Sequence, residues 1–158
     1  MDRRSRLLRP LVVAAGVAIL SITAAGCAPP APVAQPGISQ SPAVAQGLGL
    51  LNGYRAANGL GPLVEASDAA AKAQWQATVM ANAGSIFHSD LAAGILPGWH
   101  ALGENVGYGT SVDQVQAQLQ ASAPHRANML STQFNQVGVG VAVGANGFTY
   151  VAQEFVGR

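Results

Sequence analysis

The 158-residue sequence is poor in cysteine, in charge and in aromatic side chains. One cysteine excludes a disulfide framework, because disulfides need pairs. A charged fraction of 9% beside 49% hydrophobic residues excludes a disordered polyelectrolyte, and a net charge of +1 provides no basic stripe for nucleic acid. No apolar run reaches the ~20 residues of a membrane span, which excludes a polytopic membrane protein. One small globular domain and an N-terminal segment remain.

Residues 1–27 have the pattern of an export signal. Four arginines precede an uncharged apolar run from Leu11 to Ile22, which has the length of a signal-peptide core. The run ends in Ala24-Ala25-Gly26-Cys27, which resembles a bacterial lipobox. We therefore expect Cys27 to carry the lipid and to become the first mature residue.

Two alternatives stay open for this segment. It is also compatible with an ordinary secretory signal that is cleaved after Ala25 or Ala28. Arg3-Arg4 is compatible with export by either the general secretory route or the twin-arginine route. In each case the protein is exported, either anchored at the outer face of the cell membrane or extracellular. The rest of the chain has four basic and six acidic residues, a net charge of −2, so membrane attachment is predicted from the lipid alone.

The next segment, residues 28–42, has five prolines among alanine, glutamine, serine and glycine. This composition is typical of an extended spacer and cannot pack a core. The folded domain is therefore predicted over residues 43–158, and we expect it to be monomeric.

Apolar periodicity and capping residues predict three helices in the domain. They begin near Val44, at Ser67 and at Ser111, and they end at Asn58-Gly59, at about Ala83 and at Pro124. A single helical turn is predicted at 125–130, and residues 84–101 are predicted to be an ordered loop. Tyr54 and Trp75 are predicted to be core residues of the first and second helix.

The C-terminal part changes to a two-residue period. Between residues 137 and 144, valines alternate with glycine or alanine, which gives a strand with one bulky face and one bare face. A neighbouring element can approach the bare face closely. Asn146-Gly147 predicts a tight turn, 148–156 a second strand, and 103–108 a further extended segment. In chain order the predicted helices come first and a β-hairpin comes last, and this order predicts an α+β fold with an antiparallel sheet.

Three segments carry the candidate chemistry. They are Phe87-His88-Ser89, Gly103-Glu104-Asn105 and the run from His125 to Leu130. Together with the alternating valines, their order resembles the CAP superfamily of cysteine-rich secretory, antigen 5 and pathogenesis-related proteins, in its disulfide-free bacterial branch. The resemblance covers residues 44–157, including Asn52 and Arg55 in the first helix.

The resemblance implies a three-layer α-β-α sandwich with a cleft. In the family, two histidines face each other in that cleft beside acidic residues, often with zinc. His88 and His125 match the histidines, and Glu104 matches one acid. The sequence departs from the family pattern at two positions. Leu119 replaces the tryptophan that the family usually has, and Ser122 replaces the second glutamate of the animal and plant branches.

The sequence favours a binding protein over an enzyme, because no HExxH, Walker, GxSxG or CxxC pattern occurs. We expect the cleft around His88, Glu104 and His125 to bind an apolar small molecule, a lipid or a cell-envelope partner. His88 and His125 either hold a divalent metal such as Zn²⁺ or are metal-free, hydrogen-bonded cleft residues. The rival function is a weak metal-dependent hydrolase or peptidase with Glu104 as general base. A scaffold surface with a vestigial cleft is a third option.

Three further polar residues are predicted to have structural roles. His100, beside Trp99, is expected to be a packing or solvent-facing histidine. Arg126 and Asn128 are expected to brace a helix turn through hydrogen bonds to backbone carbonyls.

Overall fold

The computed structural model of the protein describes residues 41–158. The predictions of a signal, of lipidation at Cys27 and of nearly all of the spacer therefore lie outside the described residues. The elements are α1 Pro42–Ala57, β1 Val64–Glu65, α2 Ser67–Ala83, β2 Ala101–Gly109, α3 Val112–Ala121, α4 Ala123–Leu130, β3 Gln136–Val143 and β4 Thr149–Gly157. Within 41–158, no helix combines the length and the apolarity that a bilayer crossing requires.

The four strands form one mixed sheet in the order β1-β3-β4-β2. β4 pairs antiparallel with β3 and with β2, and Asn146-Gly147 lies in the turn between β3 and β4, as predicted. β1 was not predicted, because it has only two residues and forms by parallel pairing with distant β3. In the register of β2 with β4, Glu104 lies opposite Glu154.

The helices cover both faces of this sheet. On one face, Ala73, Ala77 and Met80 of α2 pack against Val106, Tyr150 and Ala152. The opposite face packs against α1, α3 and α4, in a core that contains Leu51, Val115, Leu119, Met129, Val137, Val139, Val151 and Phe155. The predicted α+β fold with a three-layer α-β-α sandwich is therefore confirmed. The predicted antiparallel pairing holds for β2, β4 and β3, but β1 pairs parallel with β3, so the sheet is mixed.

The bare face of β3 is where α2 approaches most closely. A Cβ atom added to Gly138 would lie 2.0 Å from the carbonyl carbon of Ala69, and one added to Gly140 would lie 2.0 Å from the carbonyl oxygen of Ala73. Helix and strand are thus in backbone contact, and only glycine fits. The close approach predicted from the alternation is confirmed.

The helix ends follow the predicted residues except at Ser67 and at Pro124. Ser111 accepts a hydrogen bond from the backbone N–H of Gln114 at 3.2 Å, which begins α3. Asn58 caps the end of α1, and Gly84 ends α2 with a left-handed φ of 65°. The prediction of Ser67 as a cap was wrong, because Ala66 precedes the helix and Ser67 is its first residue.

The predicted turn at 125–130 is part of a longer helix. α4 begins at Ala123 and has Pro124 in its first turn, where proline needs no hydrogen-bonded N–H. The prediction that the third helix ends at Pro124 was wrong: α3 ends at Ala121, Ser122 lies between the two helices, and Pro124 belongs to the first turn of α4.

Of the two aromatic residues predicted for the core, one is there. Tyr54 is half-buried against the core, but Trp75 is 60% exposed. The buried stripe of α2 consists of four alanines together with Lys72, Gln76 and Met80; the alanines are Ala69, Ala73, Ala77 and Ala81. Because those small residues bring α2 down onto the glycines of β3, the bulky Trp75 lies on the outer side.

One position on the outer edge of β3 is hydrogen-bonded to a side chain instead of a strand. β1 pairs only with Gln136 and Val137. Further along, the amide of Gln74 donates to the carbonyl of Val141 at 3.0 Å and accepts from its N–H at 3.3 Å. The side chain thus occupies both hydrogen-bonding groups that this residue presents at the edge.

Candidate functional site

The candidate site lies along the edge of β2. In the sheet of residues 41–158 this strand pairs only with β4, so its other edge has no strand beside it. The loop between α2 and β2 brings His88 to this edge. The ring nitrogen Nδ1 of His88 lies 2.6 Å from Oε1 of Glu104, and the His88 side chain is 63% exposed while Glu104 is buried. The structure therefore brings these two predicted residues together.

Glu104 is held by several donors at once. Oε1 accepts from the backbone N–H of Ser89 at 3.0 Å as well as from His88, and Oε2 accepts from the Ser89 hydroxyl at 2.6 Å. Burial by itself would raise the pKa of Glu104, but hydrogen bonds from Glu154, Ser89 and His88 outweigh it and hold the pKa below its usual range. Glu104 is therefore ionised at neutral pH.

Glu154 on β4 is buried and lies opposite Glu104. Burial, followed by the hydrogen bond and the negative charge of Glu104, raises the pKa of Glu154 to about 8. At neutral pH this carboxyl is protonated and donates to Glu104, so the pair carries one negative charge. Nζ of Lys72 lies 3.6 Å from Oε1 of Glu154 and compensates part of that charge.

Lys72 connects this acid pair to the loop. Its ammonium group donates to the carbonyl of Asp90 at 2.6 Å and to the hydroxyl of Ser89. Lys72 and Glu154 are both buried, and sequence reasoning missed both. A signal existed for each: Lys72 lies on the alanine stripe of α2, and Glu154 continues the strand face of Tyr150 and Ala152.

His125, the third predicted site residue, lies in a separate cavity. This His125 cavity has a volume of about 410 Å³, and its wall includes Ile86, Tyr108, Leu119 and Phe148. His88 and Glu104 line a neighbouring Glu104 cavity of about 480 Å³. Burial, and secondarily the charge of His88, lower the pKa of His125, so its imidazole is neutral at pH 7.

A chain of buried amides fixes α4, and with it His125, against the sheet. The amide of Asn105 donates to the carbonyl of His125 at 3.0 Å and to Oε1 of Gln153 at 3.1 Å. Gln153 in turn donates to Gln116 at 2.9 Å, and Asn128 donates to Asn105 at 2.9 Å. Since every link is neutral, this network positions α4 without burying a charge.

The donor set does not fit a zinc ion of the usual kind. Zinc sites take at least three protein ligands. Over residues 41–158 no group of three His, Cys, Asp or Glu side chains could hold a metal. Nδ1 of His88 is already bonded to Glu104, so His88 and His125 would supply two nitrogens at most.

The other predicted residues have structural contacts. Arg126 donates to the carbonyl of Gln120 at 2.9 Å, which confirms its bracing role, and Asn128 donates to the carbonyl of Glu104 at 3.3 Å. His100 is exposed and lines neither of the two cavities. Ser122, at the position of the second family glutamate, lines the His125 cavity.

In α1, two polar residues of the family pattern hold neighbouring segments. Asn52 exchanges hydrogen bonds with the backbone of Leu63 at 2.9 and 3.1 Å. Arg55 is buried and donates to the carbonyls of Gly61, Met129 and Ser131. Asn52 thus holds the segment before β1, and Arg55 holds that segment and the end of α4.

Comparison with known proteins gives one family and several solved structures. The sequence model described as "CAP: Cysteine-rich secretory protein family" matches residues 48–155. No curated protein matches the chain. An outer surface protein from Borrelia burgdorferi is 15% identical, with a TM-score of 0.60 over 70% of this chain and 89% of that one.

Two further structures come from Gram-positive bacteria. An extracellular protein with an SCP domain from Bacillus anthracis is 25% identical, with a TM-score of 0.58 over 73% of this chain and 40% of that one. A cysteine-rich secretory protein from Staphylococcus aureus is 24% identical, with a TM-score of 0.61 over 77% and 41%. The chain matches about two fifths of the length of each of these two proteins.

Proposed function

The chain belongs to the cysteine-rich secretory protein (CAP) family, and on that premise we propose that it is an exported, lipid-anchored binding protein of the bacterial cell envelope. Its ligand is a small apolar molecule, bound along the edge of β2. The location is supported by the signal pattern of residues 1–27 and by relatives described as extracellular or outer-surface proteins. Lipidation of Cys27 supplies the anchor.

The observation that carries the binding proposal is the His88–Glu104 pair. A buried, ionised carboxylate holds Nδ1 of an exposed imidazole at 2.6 Å. This bond fixes the ring and leaves Nε2 as the nitrogen available to a ligand. A polar end of the ligand therefore has one oriented partner at the mouth of the Glu104 cavity.

The His125 cavity supports an apolar body for the same ligand. Ile86, Tyr108 and Phe148 are large apolar residues that remain exposed around it. Tyr108 and Phe148 contact edge to face, with ring centroids 5.5 Å apart. Since His125 is neutral, burying it under an apolar ligand requires no charge to be desolvated.

The geometry disfavours the rival hydrolase. A general base must accept a proton from a water molecule, but both oxygens of Glu104 already accept hydrogen bonds, and the low pKa of Glu104 makes it a weak base. The metal that the rival mechanism needs has too few ligands among residues 41–158. Binding therefore stands as the proposed function.

The test is to measure which envelope molecules the full chain retains. The Cys27→Ser protein, which has no acyl chains to hold detergent or lipid, is incubated with a bacterial membrane lipid extract and, separately, with soluble cell-wall fragments, and the retained compounds are identified by mass spectrometry. We expect a retained apolar lipid, and a loss of about tenfold in affinity for His88→Ala, as for one lost hydrogen bond. His100→Ala is the matched control, because His100 is exposed and lines neither cavity.

Two outcomes would contradict the proposal. Retention of cell-wall fragments instead of lipid would indicate an envelope partner in place of an apolar ligand. No retention by either wild type or His88→Ala would reject ligand binding. The anchor is tested separately: Cys27→Ser should move the protein from the membrane fraction to the soluble fraction.

A further inference from the structure

A third cavity lies between α2 and the loop that follows it. We call it the Trp75 cavity. It has a volume of about 510 Å³, and its walls include Ala71, Trp75, Gln76, Phe87, Ala93 and Gly94. Cavities of this size are typical of small-molecule sites. His88 and Ser89 separate it from the Glu104 cavity, while Glu104 and His125 do not line it.

Two aromatic rings stand exposed at this cavity. The 60% exposure of Trp75 and the exposure of Phe87 are unusual for residues of this size. Neither packs in one of the three buried clusters of the described chain. Their contact area is therefore available to a ring-shaped ligand, which aromatic side chains bind by stacked or edge-to-face contact.

Gln76 supplies a polar group that lacks a partner. The side chain is fully buried, and its Nε2 donates to the carbonyl of Phe87 at 2.6 Å, which fixes the orientation of the amide. Its Oε1 accepts from no group in residues 41–158. A buried acceptor without a donor is costly and rare in folded proteins. Because Gln76 lines the Trp75 cavity, this covered oxygen is the acceptor that we assign to an N–H or O–H of a bound ligand.

The buried charges around the cavity are already paired. Lys72 lies beside the Glu104–Glu154 pair, which carries one negative charge, and donates to the Asp90 carbonyl, while Asp68 forms an ion pair with Arg158. Asp90 is exposed, and its carboxylate accepts from the backbone N–H of Ala92 at 3.1 Å. The cavity thus offers no buried charge for an ionic ligand, and a neutral ligand leaves the existing pairs intact.

We propose that the Trp75 cavity binds a neutral aromatic small molecule carrying one N–H or O–H donor. Its ring contacts Trp75 and Phe87, and its donor bonds to Oε1 of Gln76. This site goes beyond the proposed function, because neither Glu104 nor His125 takes part in it.

The test uses N-phenyl-1-naphthylamine, a neutral fluorescent aromatic amine with one N–H. The full chain with Cys27→Ser is used, because detergent around a lipidated chain would take up the probe. Quenching of tryptophan fluorescence and the rise of probe fluorescence report binding. We expect saturable binding, and about tenfold weaker binding of the N-methyl analogue, which lacks the donor.

Two variants locate the probe. Trp75→Ala should weaken binding about tenfold or more, and because Trp75 is exposed, the variant should keep the fold. Trp99→Phe is the matched control, since Trp99 is exposed and does not line the cavity. His125→Ala should bind the probe as wild type does.

The results separate this inference from the proposed function. Equal affinity for the two probes, unchanged binding by Trp75→Ala, or no saturable binding would each overturn the inference. Loss of binding in His125→Ala alone would place the probe in the His125 cavity; that result overturns the Trp75 site and supports the proposed function. Retention of envelope lipid without probe binding would likewise overturn the Trp75 site and support the proposed function.

Discussion

The two faces of the sheet are built on different principles. On the α2 face, alanines meet glycines at backbone distance, and a lysine and two glutamates are buried at one end. On the opposite face, α1, α3 and α4 pack through large apolar residues, and the buried polar groups are mainly neutral amides. The comparison shows that charge is concentrated on the face with the smaller residues.

The Glu104-Asn105 segment of β2 contributes one side chain to each face of the sheet. Glu104 and Asn105 are neighbours on β2, so their side chains point to opposite faces of the sheet. Glu104 joins the acid pair on the α2 face, while Asn105 holds the carbonyl of His125 on the other face. One strand thus positions His88 and His125 by two independent networks, one ionic and one neutral.

The largest effect is expected from breaking the backbone contact on the α2 face. In Gly140→Val the Cβ atom would overlap the carbonyl of Ala73, which cannot move without displacing α2. We expect a loss of about 4 kcal/mol or more in the free energy of unfolding, or no folded protein. Urea denaturation measures it. Gly61→Val is the control, because nothing lies within 4 Å of its added Cβ, and similar losses for both would contradict backbone contact.

A smaller loss of stability is expected when a large side chain is truncated in the core on the opposite face of the sheet. Leu51 is fully buried among apolar side chains, so Leu51→Ala should lower the free energy of unfolding by about 2–5 kcal/mol. Leu96→Ala removes the same atoms from a side chain that is 62% exposed. A loss for Leu96→Ala as large as that for Leu51→Ala, measured by thermal denaturation, would show that burial does not set the cost.

The charged end of the α2 face predicts a pH dependence. Because the folded-state pKa of Glu154 is raised to about 8, the folded protein keeps a proton that the unfolded chain has released. Its stabilising effect is complete below the ordinary glutamate pKa and is lost as pH rises through about 8. Wild type should therefore lose stability between about pH 5 and 9, by at most about 1.4 kcal/mol per pH unit.

The variant Glu154→Gln isolates this contribution. It cannot ionise, so urea denaturation across that pH range should show a flatter profile than wild type. Glu65→Gln, a glutamate outside the site, should keep the wild-type slope. Glu104 acts at the other end of the range: its lowered pKa contributes stability that is lost as pH falls below the ordinary glutamate pKa. An unchanged slope in Glu154→Gln would refute the shared proton.

The smallest effect is expected at an exposed glycine of α1. Gly53 lies inside a helix with nothing within 4 Å of an added Cβ. Gly53→Ala should raise the free energy of unfolding by about 0.5–1 kcal/mol, since alanine restricts the unfolded chain and favours the helix. If thermal denaturation showed Gly53→Ala to be less stable than wild type, glycines outside β3 would also be required for packing.

The fold was predictable wherever the pattern is local. The alternation of β3 predicted both the strand and the close approach of a neighbour, and Ser111 predicted the start of α3. β1 was missed because two residues carry no period and form a strand only by pairing with β3. Trp75 was misplaced because helical spacing does not say which side of α2 meets the sheet.

The site was predictable only in part, for a related reason. The family resemblance provided His88 and Glu104, which the structure brings together. Glu154 lies 50 residues from Glu104 in the sequence, and only the register of β2 with β4 places it opposite. Lys72 reads as a surface lysine until α2 is known to turn that stripe inward. Long-range register and helix rotation are tertiary properties, so the local signals at Lys72 and Glu154 could be interpreted only once α2 and β4 were placed.

Gln74 has a consequence for how copies of the domain meet. An open strand edge invites hydrogen bonding from a strand of another molecule, which leads to aggregation. At Val141 both backbone groups are taken by the Gln74 amide, which imitates a neighbouring peptide. By occupying that position of the edge, the Gln74 side chain leaves β3 without a free backbone N–H and C=O at Val141 for a strand of a second molecule.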